Sequence, residues 1–305
     1  MKKKCAVMPS VNGKTIAWRL WTPERTSVRG IVQLVHGMAE HIDRYDGAAQ
    51  ALTEAGYAVI GHTHLGHGEL AETLGYFGKK NGWQNLIDDV HLIRKKAQKL
   101  YPGVPYYLLG HSMGSFVVRC YMTEHARGVA GAILSGTGYF APAIVNSGLA
   151  MANLVCLFGG AKKPSPLINK LAFSSSNQPF EPARTPFDWL SRDNAEVDKY
   201  VADPYCGFLF TGSGYRDMFR GLRRLCDTKA LRRIPADTPV LFFSGKNDPV
   251  GGKLGDGVMR VAGQWRQAGL TQVQTHLYED GRHEMFNELN RVQVLRDLVA
   301  WLDAH

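Results

Sequence analysis

The chain has 305 residues, 45% of them apolar and 21% charged, a soluble globular composition with material for the core of one α/β domain carrying an insertion. No run reaches the roughly 18 uninterrupted apolar residues of a membrane helix. The formal charge of +9 gathers in Lys2–Lys4, Arg94–Lys96 and Arg220–Arg233 without aromatic interleaving or a recognition motif. This argues against nucleic acid as a partner and leaves anionic lipid surfaces, acidic substrates or a plain solvated basic face.

In chain order, Asn12-Gly13 before the alternation Ile16, Trp18, Leu20 predicts an opening hairpin. Buried strands are expected at Ile31–His36, Tyr57–Gly61, Tyr106–Leu109, Gly131–Ser135, Val240–Ser244 and Val273–Tyr278. Helical patterns lie between them, clearest over Trp83–Leu100, where Trp83, Leu86, Ile87, Val90 and Ile93 form one stripe. Further helices are expected at Ser115–His125, Asp256–Ala268 and Leu289–Leu302. Strands alternating with helices imply an α/β fold with a mostly parallel sheet covered on both faces.

The alternation stops between residues 139 and 235, a proline-rich stretch with helical pieces and no strand series. The expected organisation is a core of residues 1–138 and 236–305 with a helical cap, 139–235, over the carboxyl edge of the sheet. The first cap helix, Ala143–Phe158, is apolar almost all round and is expected to be too short to cross a bilayer. It then packs on the core, or lines an acyl pocket and meets lipid at an interface, with Leu149, Leu154 and Phe158 as acyl contacts.

Chemistry concentrates at Gly110-His111-Ser112-Met113-Gly114. A buried strand precedes it and a helix follows. Two glycines let strand and helix close on each other, presenting Ser112 on a strained turn with a helix amino terminus behind it. A serine hydroxyl needs a base, and the base needs a partner that fixes its tautomer. Val240–Ser244 runs into Asp248, and Val273–Tyr278 runs into Gly281-Arg282-His283. Serine, acid and histidine thus follow one another on loops after strands. Asp280 is a decoy acid, too close to His283 in sequence to approach the ring from a separate strand end. Oxyanion donors are expected from the N–H groups of Met113 and of Met38, the residue after His36-Gly37. His36 and His41 read as loop-ordering residues. His62, His64 and His67 carry a rival zinc reading, but a tight Gly-rich turn without a nearby cysteine or acidic ligand set favours a structural role, and no metal is expected.

These segments together resemble the monoglyceride lipase/lysophospholipase branch of the α/β-hydrolases, a group often labelled serine aminopeptidase-like. The resemblance rests on His36–His41, Gly61–Gly68, Gly110–Gly114, Ser244–Val250 and Gly281–Glu284, and covers nearly the whole chain, most weakly the cap. It implies the α/β-hydrolase fold, Ser112 as nucleophile, Asp248 as acid, His283 as base, and Met38 and Met113 as oxyanion donors. The chain departs from the family pattern at Thr63, where Asp is usual, and at Glu69-Leu70 after His67-Gly68. Both departures concern the turn that supports the oxyanion loop.

The expected function is a serine hydrolase that cleaves carboxylic esters of fatty acyl chains through an acyl-enzyme, without a cofactor. Its partner is a small-molecule acyl ester, with monoacylglycerols or lysophospholipids leading. A peptidase or small-ester hydrolase of the same fold, and a catalytically silent binding protein, are the rivals. Five widely spaced cysteines without C-x-x-C, and a basic start lacking an apolar signal stretch, point to a cytoplasmic or membrane-peripheral protein.

Overall fold

The computed structural model describes residues 1–24 and 27–305. The opening hairpin pairs β1 (Lys2–Pro9) with β2 (Thr15–Thr22), turning at Ser10–Lys14. β3 (Gly30–Val35) precedes α1 (Asp46–Glu54), β4 (Tyr57–His62), α2 (Gly82–Leu100), β5 (Tyr106–His111), α3 (Met113–His125) and β6 (Gly131–Ser135). Four helices follow before the sheet resumes: α4 (Pro142–Val155), α5 (Pro166–Phe173), α6 (Asn194–Ala202) and α7 (Gly212–Leu225). The chain closes with β7 (Val240–Gly245), α8 (Asp256–Gln267), β8 (Val273–Tyr278) and α9 (Arg291–Ala304).

The eight strands form one sheet in the order β1-β2-β4-β3-β5-β6-β7-β8. The first two are antiparallel and the remainder parallel to one another. Every residue of β3 to β7 is buried, as a parallel sheet covered on both faces requires. Alternation along β3 assigns the faces: Ile31 and Val35 join the core under α2, α3 and α8, while Val32 and Leu34 join the core under α1 and α9.

The helices between β6 and β7 pack on the rest of the molecule through α7, whose Gly221 lies flat on the Trp83 indole; a Cβ there would stand 2.0 Å from the ring. The first inserted helix requires a correction. The helical run extends from Pro142 to Gly160, 19 residues that are long and apolar enough to cross a membrane by length and composition. Small residues rather than an uninterrupted apolar string make up that length, so the sequence pattern understates it. Regular α-helix nevertheless stops at Val155, and a π turn with non-helical backbone at Phe158 and Gly159 follows. The regular fourteen residues span roughly 21 Å, so the run reaches membrane length only together with the distorted turn that follows.

Candidate active site

Ser112 sits between the end of β5 and the start of α3 with φ 51° and ψ −122°. This region is sparsely populated by non-glycine residues and must be imposed by its surroundings. The Ser112 N–H donates to Ser135 O at 2.9 Å, and Ser115 returns its N–H (2.9 Å) and hydroxyl (2.6 Å) to Ser112 O. Gly110 and Gly114 permit the crossing: a Cβ on Gly114 would lie 2.0 Å from Val35 O, and one on Gly110 2.5 Å from Gly114 O. Met113 is the first residue of α3, so its N–H has no intrahelical partner.

Asp248 and His283 leave the ends of β7 and β8 and meet. His283 Nδ1 donates to Asp248 Oδ1 at 2.9 Å, and both residues are buried, at 2% and 1% exposure. The carboxylate also accepts the Val250 N–H at 2.9 Å and the Ser244 hydroxyl at 3.1 Å. Burial alone would raise its pKa, but His283 and these donors outweigh that and hold it low. The converse holds for His283: burial lowers its pKa, and the adjacent carboxylate more than restores it, leaving the imidazole above its usual value. Asp280 is exposed at positive φ in the preceding turn. His111, beside Ser112, places its ring centroid 4.8 Å from that of His283. Desolvation drives His111 down to about 3, so it is a neutral spacer.

The loop after β3 is shaped by histidines acting through their ring nitrogens on backbone. His36 Nδ1 donates to Gly37 O at 2.9 Å, and its Nε2 accepts the His64 N–H at 2.9 Å. His67 Nδ1 donates to Leu65 O at 3.1 Å, and its Nε2 accepts the Ala39 N–H at 3.3 Å, fixing Ala39 at φ 52°. Burial keeps these rings neutral, His67 at about 4. Thr63 offers its hydroxyl to the Ile42 N–H at 3.5 Å, so it stands under the turn that continues the loop. His62 and His64 are buried with ring nitrogens lacking protein partners.

A buried ion cluster ties this loop to the histidine loop. Glu40 accepts the Gly37 N–H at 2.6 Å, the Tyr45 hydroxyl at 2.9 Å and Arg44 Nη1 at 2.8 Å. Arg44 also grips Glu284, next to His283, with two bonds of 2.7 Å. Burial favours neutral carboxyls, yet Arg44 holds Glu284 at about 2, while Glu40 is left raised. The two carboxylates share one guanidinium, so Glu40 takes the first proton on acidification. The insertion adds its own ties. Tyr200 OH and Gly207 N–H donate to Ala39 O, each at 3.0 Å. Leu190 O accepts the Glu284 N–H at 2.7 Å, and the Trp189 ring lies 4.8 Å from that of His283.

The three expected acyl contacts do not share a surface. Leu149 is buried, whereas Leu154 and Phe158 are 51% and 83% exposed. Five residues on a helix turn a side chain by roughly 140°, so 149 and 154 cannot face the same way. Sequence reasoning missed Arg44, Glu284 and Trp189. The charges at 40, 44 and 284, embedded in apolar strand-end loops, were the available signal for two of them.

The model of the family described as "Serine aminopeptidase, S33" matches residues 26–290. A monoacylglycerol lipase of Mycolicibacterium smegmatis is 31% identical over 97% of this chain and 95% of its own. The human monoglyceride lipase is 25% identical over 96% and 88%. Among solved structures, a thermostable carboxyl esterase from Bacillus coagulans in complex with glycerol superposes with a TM-score of 0.92 at 29% identity, covering 100% of this chain and 99% of the other. With Ser112 on the turn after β5, the Asp248–His283 pair beyond β7 and β8, and these likenesses along its length, the chain belongs to the serine aminopeptidase family of α/β-hydrolases.

Proposed function

We propose that the protein is a serine hydrolase of fatty acyl esters, with monoacylglycerols and lysophospholipids as the substrate class. The observation that carries this reading is the strained Ser112 turn in company with the buried Asp248–His283 pair. Ser112 Oγ attacks the acyl carbonyl while His283 Nε2 takes its proton. Asp248 holds the Nδ1–H tautomer and stabilises the imidazolium that forms. The oxyanion receives the N–H groups of Met38 and Met113. The alcohol leaves with the proton from His283, and water, activated by the same ring, releases the fatty acid.

A peptidase of the same fold needs a free carboxylate for the substrate's amino terminus. The buried carboxylates around the site are already committed: Glu40 and Glu284 to Arg44, Glu288 to Arg192, and Asp188 to the N–H groups of Arg184 and Thr185. This supports ester over peptide cleavage. Residues 139–235 serve as the lid. Leu149 faces the acyl chain, while Ile144, Leu154, Leu157, Phe158, Leu167 and Leu171, all exposed, meet a lipid surface. Exposed Lys162, Lys163 and Lys170 on the same segment suit anionic headgroups.

A p-nitrophenyl ester series tested beside aminoacyl anilides, with fluorophosphonate labelling, decides the matter. We expect labelling, and a specificity constant that rises from acetyl to medium chains by up to about 0.8 kcal/mol per methylene. Anilides cleaved faster than esters would replace this reading with the peptidase. Absence of labelling would leave a binding protein.

A further inference from the structure

Away from the triad, His41, Asp203 and Cys206 form the one group of three metal-ligating side chains whose ligand atoms converge among the described residues. These atoms all lie within 4.8 Å of one another. We propose that the three bind a thiophilic divalent cation, with zinc as the reference ion, stitching the oxyanion loop to the inserted helices.

The scaffold is already tight. Tyr205 N–H donates to Asp203 Oδ1 at 2.8 Å and Cys206 N–H to Asp203 O at 3.0 Å. This turn sets two ligands three positions apart, the spacing of the paired ligands in C-x2-C zinc sites. His41 comes from the other side of the seam, with Nε2 2.8 Å from Asp203 Oδ2. Its second nitrogen, Nδ1, lies 3.9 Å from Asp43 Oδ2, outside hydrogen-bond distance but close enough for a small turn of the ring to bring the carboxylate behind a ligating imidazole. Asp43 is itself fixed by Arg19 through two bonds of 2.8 Å.

Bond lengths of about 2.0 Å to nitrogen or oxygen and 2.3 Å to sulfur put ligand atoms about 3.5 Å apart in a tetrahedron. The group is therefore within side-chain rotation of that geometry. Burial pushes the Cys206 thiol well up, opposed by the charge of Arg44, so it is the bound cation that draws the proton off the sulfur. The three side chains are half-buried, and of them His41 borders a cleft of about 1040 Å³ together with Asp43 and Tyr205. A mixed nitrogen, oxygen and sulfur set favours zinc or cobalt over magnesium or calcium.

Binding replaces the His41–Asp203 hydrogen bond. The imidazole proton stands on Nδ1 towards Asp43, the Cys206 thiol proton leaves to solvent, and water completes the fourth position. His62 and His64 do not compete, because they supply two nitrogens without a converging third ligand.

The test is a cobalt titration of the metal-free, full-length protein. We expect one equivalent to produce a thiolate-to-cobalt charge-transfer band that zinc displaces, and zinc to raise the melting temperature. Cys206→Ala should abolish the band, and His41→Gln and Asp43→Asn should each weaken cobalt affinity at least about tenfold. His283→Gln and Cys226→Ser should keep both band and affinity. Melting curves without metal establish that each variant is folded. A band that survives Cys206→Ala, is lost in His283→Gln, or never saturates in the wild type overturns the site.

Discussion

The turn at Ser112 and the outer face of α4 lie at opposite ends of one principle. At the turn, every backbone approach is so close that a methyl group at Gly110 or Gly114 has nowhere to go. The strain at Ser112 is held by strands on both sides. On α4, one face carries the buried Val145, Leu149 and Ala152 while the other exposes Ile144 and Leu154 to solvent. Packing decides the whole of the first region and only half of the second. Precise positioning belongs where the core over-determines the backbone, and adaptable contact belongs where it does not.

The largest expected effect lies at the turn. Ser112→Ala should cut p-nitrophenyl ester turnover on the order of 10⁶-fold while circular dichroism and melting stay native. Surviving fluorophosphonate labelling would show that the strain there serves no nucleophile. Asp248→Asn should cost on the order of 10⁴-fold and also move the pH profile. Asp248 keeps His283 above the usual imidazole value, and only the neutral ring accepts the serine proton. Wild-type turnover should therefore fail on acidification already above that value. In the variant burial is opposed only by the more distant Glu284 and Glu40, and the acid limb should slide to lower pH. An unmoved limb would disconnect the pair from the chemistry.

Next comes the cross-tie. Arg44→Met leaves Glu40 and Glu284 buried without a cation, and urea unfolding should show a loss of about 3–5 kcal/mol. Because Arg44 depresses Glu284 to about 2, its contribution is present above the ordinary carboxylate range. It fades as pH falls towards 2, so the variant should lose its acid dependence there.

α4 then provides the contrast within a single helix. Leu149→Ala should destabilise by about 2–5 kcal/mol, and Leu154→Ala by less than about 0.5 kcal/mol. Smallest in stability, Leu157→Ser with Phe158→Ser should leave melting and short-ester turnover unchanged while lowering affinity for anionic phosphatidylglycerol vesicles about tenfold. Burying one such side chain is worth roughly 1.5–3 kcal/mol, and tenfold is about 1.4. Equal vesicle binding would leave the outer face of α4 without the lipid role.

What could be read from residue order was whatever depends on neighbours in the chain. Apolar runs locate the parallel strands to within one or two residues, and the 3.6-residue stripe locates α2. Gly110-His-Ser-Met-Gly114 marks a strand-to-helix turn because its two glycines are local requirements of that turn. The short α1 escaped because Gly47 and its alanines give a weak stripe, and only contact with β4 and α9 makes it a helix worth forming.

Tertiary structure alone decided the rest. Arg44 and Glu284 lie 240 positions apart, and no local pattern pairs them; sheet order brings their loops together. It likewise divided Leu149 from Leu154, since an all-apolar helix does not declare which face the core will take. His41, Asp203 and Cys206 converge for the same reason. Sequence encodes local geometry through sterics and periodicity, whereas long-range pairing emerges only when burial of the whole sheet pays the entropy of closing the loops between them.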